Sequence, residues 1–265
     1  MRFSYDHDLH IHTCLSACSK DPKQTPENIL RFAEAAGLKR ICITDHYWDE
    51  TVPGASDWYL LQGYVNLQKA KPLPQSKNVR FLFGCEAEQD RFGKLSIPQE
   101  RYDDFDFIIV STTHLHRVGL TVSEADIATP KDRARTWVRR LDAVLDTDLP
   151  FHKVGLAHLT CKLIAYQDRA AFLETLSALS DRQMRRLFSK AADLGVGIEL
   201  NSGALRFAED EADTILRPYR IARECGCKFY CGSDAHHLSE LGYAKAVLER
   251  TIDLLELKEQ DKFTV

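Results

Sequence analysis

The fold prediction starts from residues 8–13, which read DLHIHT. Apolar and polar residues alternate in this stretch, which is typical of a β-strand with one buried face. Because residues two apart on a strand share a face, we expect Asp8, His10 and His12 to point the same way. A carboxylate and two imidazoles on one face indicate a polar site at the end of this strand.

Six further short apolar runs, rich in β-branched residues, predict strands along the rest of the chain. Longer segments with helical periodicity separate them, and this alternation predicts an α/β fold with a parallel sheet. No long linker, internal repeat or low-complexity tract interrupts the pattern, so we expect one domain over residues 1–265. The seven predicted strands are Asp8 to His12, Arg40 to Thr44, Arg80 to Glu86, Asp106 to Ser111, Val154 to Ala157, Val196 to Leu200 and Phe229 to Gly232.

The clearest predicted helix is TPENILRFAEAAG, residues 25–37. Thr25 can cap it, Pro26 suits the first turn and Gly37 is typical of a helix end. The stretch from Asp49 to Ser76 contains no clear strand, and we expect it to be an excursion over one end of the barrel. Other helices are predicted at residues 183–195, at residues 212–226 with an interruption at Pro218, and from about Ser239.

Histidines and carboxylates recur at the carboxyl ends of the predicted strands. A parallel barrel gathers these ends at one mouth, so residues far apart in sequence converge there. Burying so many of them without a cation would cost on the order of several kcal/mol. Imidazole and carboxylate donors suit zinc, manganese or iron, and the absence of a CxxC pair argues against a structural thiolate zinc site. The strand-end residues are His10, His12, His46, Glu86, Glu88, His114, His116, His158, Glu199, Asn201, Asp234 and His236.

Each of these motifs has a structural interpretation when it is taken alone. A single strand-end histidine is more often a hydrogen-bonded core residue than a metal ligand. The stretches TDH, ending at His46, and SDAH, ending at His236, also suit helix N-caps. The ordered set, with a polar cluster at the end of almost every strand, favours the metal site.

Composition limits the remaining function classes. The 265 residues are 44% hydrophobic and 28% charged, and the net charge of −4 argues against a nucleic-acid partner. The segment Lys131 to Val144 is locally basic, and we interpret it as a solvated helix face. No apolar run can cross a bilayer, and neither a secretion signal nor a disulfide pattern is visible. We therefore expect a cytoplasmic enzyme without a membrane partner, with its eight cysteines reduced.

The order HIHTCLSAC, ITDH, GCE, STTH, AH and GSDAH resembles the PHP family, the polymerase and histidinol phosphatase domains. The resemblance covers almost the whole chain. It implies a distorted, seven-stranded (β/α)7 TIM-like barrel with its site at the carboxyl ends of the strands. It also implies two to three divalent metal ions and a phosphate-ester substrate.

The resemblance also implies a division of the metal ligands. One ion would be held by His10, His12 and Asp234, and Glu86 would bridge it to a second ion bound by His114 and His158. A third would take His46 and His236. Many family members have a histidine or aspartate six residues after the HxH motif, where this chain has Cys18. A thiolate there can bind zinc, whereas a neutral thiol would leave a weaker third site.

The proposed reaction is hydrolysis by a hydroxide held between the metals, with Glu86 and Asp234 as catalytic ligands. His116 is a candidate proton donor to the leaving group, and Asp8 is expected to orient a ligand histidine. Acidic residues Glu124 and Asp126, in the loop from 117 to 130, are candidates to bind a substrate amine such as that of histidinol phosphate. The candidate substrate-binding residues are Arg117, Lys162, Asn201 and Arg206.

Four functions compete at this point. A phosphomonoesterase acting on a small phosphorylated metabolite, with histidinol phosphate as the leading named candidate, is favoured. A nuclease or phosphodiesterase of the same family is the alternative, and the acidic net charge counts against it. An amidohydrolase would usually need a carboxylated lysine on the fourth strand, where this chain ends in His114. An inactive regulatory module would have lost more of the ligand set.

Overall fold

A computed structural model describes residues 1–265 and contains a parallel sheet that curves into an almost closed barrel. The strand order is β1-β2-β4-β5-β6-β7-β8, and the two-residue strand β3 pairs with the second half of β4. The predicted TIM-like barrel is therefore confirmed, and its seven predicted strands all occur. The strands are β1 (His7–Ile11), β2 (Arg40–Ile43), β3 (His46–Tyr47), β4 (Arg80–Glu88), β5 (Phe107–Ser111), β6 (Val154–Leu156), β7 (Gly197–Asn201) and β8 (Lys228–Gly232).

Helices surround the sheet and connect successive strands. Four of them correspond to the predicted helical segments, and α4 covers the basic segment interpreted as a helix face, whereas α5 was not predicted from the sequence. Helix α7 differs from the prediction because it continues through Pro218 instead of breaking there. The helices are α1 (Pro26–Ala36), α2 (Asp57–Leu60), α3 (Tyr64–Leu67), α4 (Pro130–Leu145), α5 (Arg169–Ala178), α6 (Asp181–Leu194), α7 (Ala212–Glu224) and α8 (Leu238–Leu254).

Helix α1 shows how local sequence sets these boundaries. The Thr25 side chain accepts a hydrogen bond from the Asn28 backbone N–H, and Pro26 fills the first helical position. Gly37 ends the helix at φ 73°, a left-handed conformation that costs glycine little. The helix bounds predicted from the sequence are confirmed.

The barrel closes between β1 and β8, where side chains supplement a short backbone ladder. The Asp234 backbone N–H donates to the His10 carbonyl at 2.7 Å. Deeper in the barrel, the Cys231 N–H donates to His7 Nε2 at 3.0 Å, and the Ser233 N–H donates to Asp8 Oδ1 at 2.9 Å. These side chains satisfy strand amides at the closing edge, which would otherwise be buried without partners.

Apolar side chains fill the barrel interior below the polar mouth. Leu82 on β4 and Phe107 on β5 belong to this cluster, each four residues before a polar residue at the mouth on the same strand face. The pairing of β1 with β2 shifts register between Asp8 and Ile11, so the simple alternation predicted for β1 is interrupted. The interior cluster comprises Leu9, Cys42, Leu82, Phe107, Ile109, Ala157, Tyr230 and Phe263.

The excursion predicted between Asp49 and Ser76 contains the short helices α2 and α3 and no strand. Tyr59 on α2 packs with Trp48 and Val52 in a small apolar cluster of its own. Trp58 lies edge-on to the imidazole of His46, with ring centroids 5.0 Å apart. The excursion therefore supplies an aromatic wall beside the strand ends.

None of the helices combines the length and the apolar character needed to cross a lipid bilayer.

Candidate metal centre

The structure brings together all nine residues that the sequence singles out as metal-binding candidates. They form three groups, and within each group one donor atom of every residue lies within 4.8 Å of the others. His12 belongs to two groups. Group one is His10, His12 and Asp234; group two is Glu86, His114 and His158; group three is His12, Cys18, His46 and His236.

The donor atoms of group one, together with Glu86, have the spacing of a tetrahedral ligand set. His10 Nε2 and His12 Nε2 are 3.1 Å apart, and they lie 3.4 and 3.1 Å from Asp234 Oδ1. Glu86 Oε2 is 3.6 Å from His10 Nε2 and 3.4 Å from His12 Nε2. Four atoms bound to one zinc ion at about 2.0–2.1 Å lie about 3.3–3.4 Å apart. The spacing therefore fits a single divalent ion.

Glu86 connects the three groups because its two carboxylate oxygens face different neighbours. Oε1 accepts a hydrogen bond from Ser111 and lies 3.2 Å from His158 Nε2 in group two. Oε2 lies 2.8 Å from His46 Nδ1 in group three. That approach lacks hydrogen-bond geometry, and both atoms are buried without a partner. A shared cation would satisfy two such atoms, so the donor set fits divalent metal.

Group three contains Cys18, the position at which the chain departs from the usual pattern of the family it resembles. Burial alone would raise the pKa of the Cys18 thiol, but hydrogen bonds to His236 and His46 outweigh it and lower the pKa to about 7. The thiolate is therefore accessible near neutral pH, as a metal-binding sulfur requires.

Hydrogen bonds to Nδ1 orient most of the imidazoles in the three groups. Holding one ring nitrogen fixes the ring plane and leaves Nε2 free to face the centre of the site. The pairs are His10 with Glu199 Oε1 at 2.7 Å, His12 with Ser16 Oγ at 3.0 Å, His114 with Glu88 Oε2 at 2.6 Å, His158 with Thr113 Oγ1 at 2.8 Å and His236 with the Asp234 carbonyl at 2.8 Å.

Glu199 holds residues of two groups, a role that the sequence did not suggest. One oxygen accepts from His10 Nδ1, and the other accepts from the His158 backbone N–H at 2.6 Å. Gly232 makes room for it, because a Cβ at that position would collide with the Glu199 carboxylate and with His10. The strand pattern, in which Glu199 and Asn201 share one face, was the available signal.

Asp8 does not orient an imidazole, so that expectation was wrong. Its Oδ1 accepts from the Ser233 N–H and from the His10 backbone N–H at 3.3 Å. The Asp8 side chain lies at the closing edge of the barrel and accepts backbone amides there. Glu199 takes the orienting role instead.

His158 and Asp234 have positive φ angles of 32° and 55°. Non-glycine residues rarely adopt this conformation, which costs on the order of 1–3 kcal/mol. Each lies two residues after the end of a strand, and both line the cavity at the mouth. Local sequence did not predict the conformation, and it is maintained by the surrounding contacts.

The buried carboxylates of the centre remain ionised. Burial alone would raise the pKa of Glu86, but the charge of His46 and hydrogen bonds from His10 and His158 hold it well below its usual range. The pKa of Asp234 is likewise held low, against its burial, by His10 and His12. Both groups can therefore act as anionic donors at neutral pH.

His116 lies at the cavity wall, with its ring centroid 5.6 Å from that of His114. Burial, together with the charges of His114 and Arg117, lowers the pKa of His116 to about 4. The neutral imidazole therefore predominates at pH 7. Its assignment as the proton donor stays a prediction.

A cavity of about 460 Å³ opens over the three groups. Arg117 is half-buried in its wall, with the guanidinium 4.2 Å from the ring centroid of Trp58. Lys162 and Arg206 line the same cavity and are exposed. Asn201 also lines it, and its Nδ2 donates to Asp234 Oδ2 at 3.4 Å. The four residues predicted to bind substrate thus share one cavity, whose size suits a small molecule.

The acidic residues predicted to bind a substrate amine lie elsewhere. Asp126 caps a short 3-10 helix through Ser123 and pairs with Arg139 at 2.6 Å. Neither Glu124 nor Asp126 lines the cavity. The expectation that this loop contacts substrate through its carboxylates was wrong, because local capping occupies Asp126.

The basic segment after this loop forms α4, and its predicted solvated face is wrong for Arg140. That side chain is 3% exposed and donates to the backbone carbonyls of Thr112, Thr121 and Gln89 at 2.6–2.8 Å. It also lies 3.4 Å from Glu88 Oε1. Arg140 therefore supports the carboxylate that orients His114.

Comparisons with known proteins agree with this geometry. The PHP domain model matches residues 8–203. A probable phosphatase of Caldicellulosiruptor bescii is 24% identical over 238 residues, which cover 89% of this chain and 81% of that protein. A probable histidinol-phosphatase of Thermotoga maritima is 27% identical over 152 residues, covering 57% and 53%.

Among solved structures, the histidinol phosphate phosphatase of Lactococcus lactis, complexed with zinc, L-histidinol and phosphate, has a similar fold. The TM-score is 0.57 at 17% sequence identity, and the match covers 93% of each chain. At this identity the similarity concerns the fold alone.

Proposed function

Because the chain belongs to the PHP domain family, whose model matches residues 8–203, we propose that it is a metal-dependent phosphoesterase acting on a small phosphorylated metabolite. The observation that carries the proposal is the spacing of His10, His12, Asp234 and Glu86. Five of the six distances between their donor atoms are 3.1–3.6 Å, which fits tetrahedral coordination of one divalent ion. The remaining ligand groups adjoin this one through Glu86.

The ligand assignment follows the three groups. Group one would hold one ion, group two a second, and group three a third through Cys18, His46 and His236. Glu86 would bridge them, since its oxygens face different groups. Zinc, manganese or iron suits these donors. Bound divalent ions would lower the pKa of a water molecule and neutralise charge on the phosphoryl oxygens.

The chain's own residues position the substrate for this reaction. Arg117 presents a guanidinium to the cavity, and its stacking on Trp58 restricts its motion. It is placed to hold a non-bridging oxygen of the scissile phosphate. His116 precedes Arg117 in the sequence and lines the same wall. It is the residue that would exchange a proton with the leaving oxygen or with a water beside it. The apolar interior below the mouth excludes bulk water from beneath the ligand groups.

Release of inorganic phosphate tests the proposal. Protein freed of metal and reconstituted with zinc, manganese or iron is assayed with p-nitrophenyl phosphate and histidinol phosphate. Histidinol phosphate is included because the Thermotoga maritima and Lactococcus lactis proteins bear its name. We expect metal-dependent phosphate release, and elemental analysis should find two or three ions, at most one for each of the three groups.

Matched histidine variants give the control. His158→Ala should reduce kcat on the order of 100-fold because it removes a metal donor from group two. His152→Ala removes an exposed histidine outside the cavity and should leave kcat unchanged. Metal-independent turnover, or equal kcat in the two variants, would refute the proposal. Nicking of labelled DNA without phosphate release would favour the nuclease alternative.

A further inference from the structure

The cavity wall contains more positive charge than one phosphate group requires. Arg117 follows β5, Lys162 follows β6 and Arg206 follows β7, and these three strands are consecutive neighbours in the sheet. The three cations therefore lie along one side of the mouth, and all line the cavity. None of them pairs with a carboxylate of the chain. Lys162 and Arg206, which we call the rim cations, are the exposed members.

The cavity offers too few carboxylates to balance these charges. Apart from the proposed metal ligands Glu86 and Asp234, Glu240 is the only acidic residue in its lining. Glu240 Oε2 accepts from the backbone N–H groups of His236 and His237 at 2.7 and 3.1 Å, so this carboxylate caps α8 through one oxygen. A cationic substrate amine would find one exposed anion in this wall and would face two rim cations.

Charge balance at the centre leaves the rim cations in excess. Two divalent ions carry four positive charges, Glu86 and Asp234 offset two, and a phosphate monoester contributes about two more negative charges. A third ion held with the Cys18 thiolate makes the centre more positive. A negatively charged nucleophile would be balanced by Arg117 in the same wall. Glu240 offsets at most one of the two rim cations, so the rim keeps a net positive charge in each case.

We infer that the rim cations Lys162 and Arg206 select a substrate bearing a second anionic group, a carboxylate or another phosphate, distal to the scissile phosphate. This inference rests on the proposed phosphoesterase function and narrows its substrate class. It ranks a doubly anionic ester above histidinol phosphate for this chain. Exposed charge pairs are individually weak, but two cations converging on one substrate anion raise affinity and exclude like-charged ligands.

Binding of non-hydrolysable phosphonates tests the inference without relying on turnover. The zinc-loaded protein is titrated calorimetrically with ethylphosphonate, 2-carboxyethylphosphonate, ethane-1,2-bisphosphonate and 2-aminoethylphosphonate. We expect 2-carboxyethylphosphonate and ethane-1,2-bisphosphonate, which carry a second anionic group, to bind about tenfold more tightly than ethylphosphonate. We expect 2-aminoethylphosphonate to bind more weakly than ethylphosphonate. Comparison of these two affinities shows whether the second anionic group of the substrate is a carboxylate or a phosphate. Added salt should reduce the preference.

Variants locate the preference on the rim. In the Lys162→Ala/Arg206→Ala double variant, the affinity for 2-carboxyethylphosphonate divided by that for ethylphosphonate should fall to about one. Arg182→Ala, which removes an exposed and unpaired arginine of α6 outside the cavity, should retain the preference. Because the substituted side chains are exposed, folding is not at risk.

The outcomes separate this inference from the proposed function. Equal binding of all four phosphonates by a protein that hydrolyses p-nitrophenyl phosphate would overturn the inference and leave the function intact. Retention of the preference in the double variant would also overturn it. Absence of both phosphonate binding and phosphate release would refute the two together. With esters, kcat/KM should be higher for 3-phosphoglycerate than for glycerol 3-phosphate, which lacks the carboxylate.

Discussion

Glu199 is the residue on which two of the proposed ligand groups depend. Its carboxylate contacts the His10 imidazole of group one and the His158 backbone of group two, and it is fully buried. Both contacts use an oxygen that accepts from an N–H group. An ionised carboxylate satisfies two such donors at once, whereas an amide presents a donor of its own on one side.

Glu199→Gln should therefore weaken metal binding without removing a ligand. The amide N–H₂ would face either the His10 Nδ1–H or the His158 N–H, and loss of such a supporting contact typically costs about 10–100-fold in metal affinity. Zinc titration with a competing chelator measures the change. Glu174→Gln, at an exposed position of α5, is the control. Unchanged zinc affinity in Glu199→Gln would contradict the assigned role.

At the scale of secondary structure, the closing edge between β1 and β8 depends on side chains. His7 accepts the backbone amide of Cys231 in β8, and Asp8 accepts that of Ser233, the residue after β8. His7 is in turn held by Asp6, which lies 2.8 Å from its Nδ1. The proposed ligands His10 and Asp234 lie just above this edge, so its geometry sets their separation.

Two substitutions at Asp8 distinguish the acceptor role from the charge. Asp8→Ala leaves the buried Ser233 N–H without a partner and should lower the free energy of unfolding by about 1–3 kcal/mol. Asp8→Asn keeps the accepting oxygen and should cost less. Urea denaturation monitored by circular dichroism measures both changes. A loss in Asp8→Asn as large as that in Asp8→Ala would show that the negative charge, not the acceptor, matters.

Helix α4 contributes one buried cation to the site from outside the barrel. Arg140 connects this helix to Glu88, which also accepts from the Tyr59 hydroxyl at 3.0 Å and orients His114. A continuous set of hydrogen bonds therefore extends from the helix to a proposed ligand. Such buried charges are costly when one partner is removed.

Arg140→Met should be strongly destabilising because it leaves Glu88 and several carbonyls without their donor. The expected loss of unfolding free energy is about 3–5 kcal/mol. Arg139→Met, one residue earlier, breaks only a surface pair with Asp126 and should cost about 0–1 kcal/mol. Thermal and denaturant unfolding of the pair measures the difference. Similar stabilities in the two variants would argue against the buried network.

For the whole molecule, the proposed metal centre couples ligand binding to stability. Five histidines and the Glu86 carboxylate of groups one to three are buried at the barrel mouth, where strands from both halves of the sequence meet. Without a cation, imidazoles and carboxylates there must satisfy one another imperfectly, as the unpartnered atoms of His46 and Glu86 indicate. A cation that binds only the folded barrel stabilises it by mass action.

Removal of metal should therefore lower the Tm, and restoration should raise it. At a free zinc concentration 100 times the Kd, one site contributes about 2.7 kcal/mol to stability. Scanning calorimetry of chelator-treated protein, with and without added zinc, measures the shift. The His158→Ala variant should respond less than His152→Ala. A Tm that is independent of zinc would contradict a metal centre that bridges the barrel.

The sequence alone predicted seven strands, the parallel barrel and the end of the barrel at which polar residues gather. Hydrophobic periodicity and turn residues determine these features locally, as Thr25, Pro26 and Gly37 do for α1. It also identified His10, Glu86, His158 and Asp234 as neighbours, because parallel strands bring their carboxyl ends together. Strand β3 was missed because a two-residue strand has no periodicity to read.

Only the tertiary structure decided which side chains hold the proposed metal ligands in place. The roles of Glu199, Asp8 and Arg140 come from contacts with residues distant in sequence. They depend on the closing edge of the barrel, on the room left by Gly232 and on the packing of α4. The same holds for Asp126, whose capping contacts remove it from the cavity. Local sequence specifies strands and helices, whereas the angles and offsets between them arise from packing of the whole barrel, and these determine which charges meet.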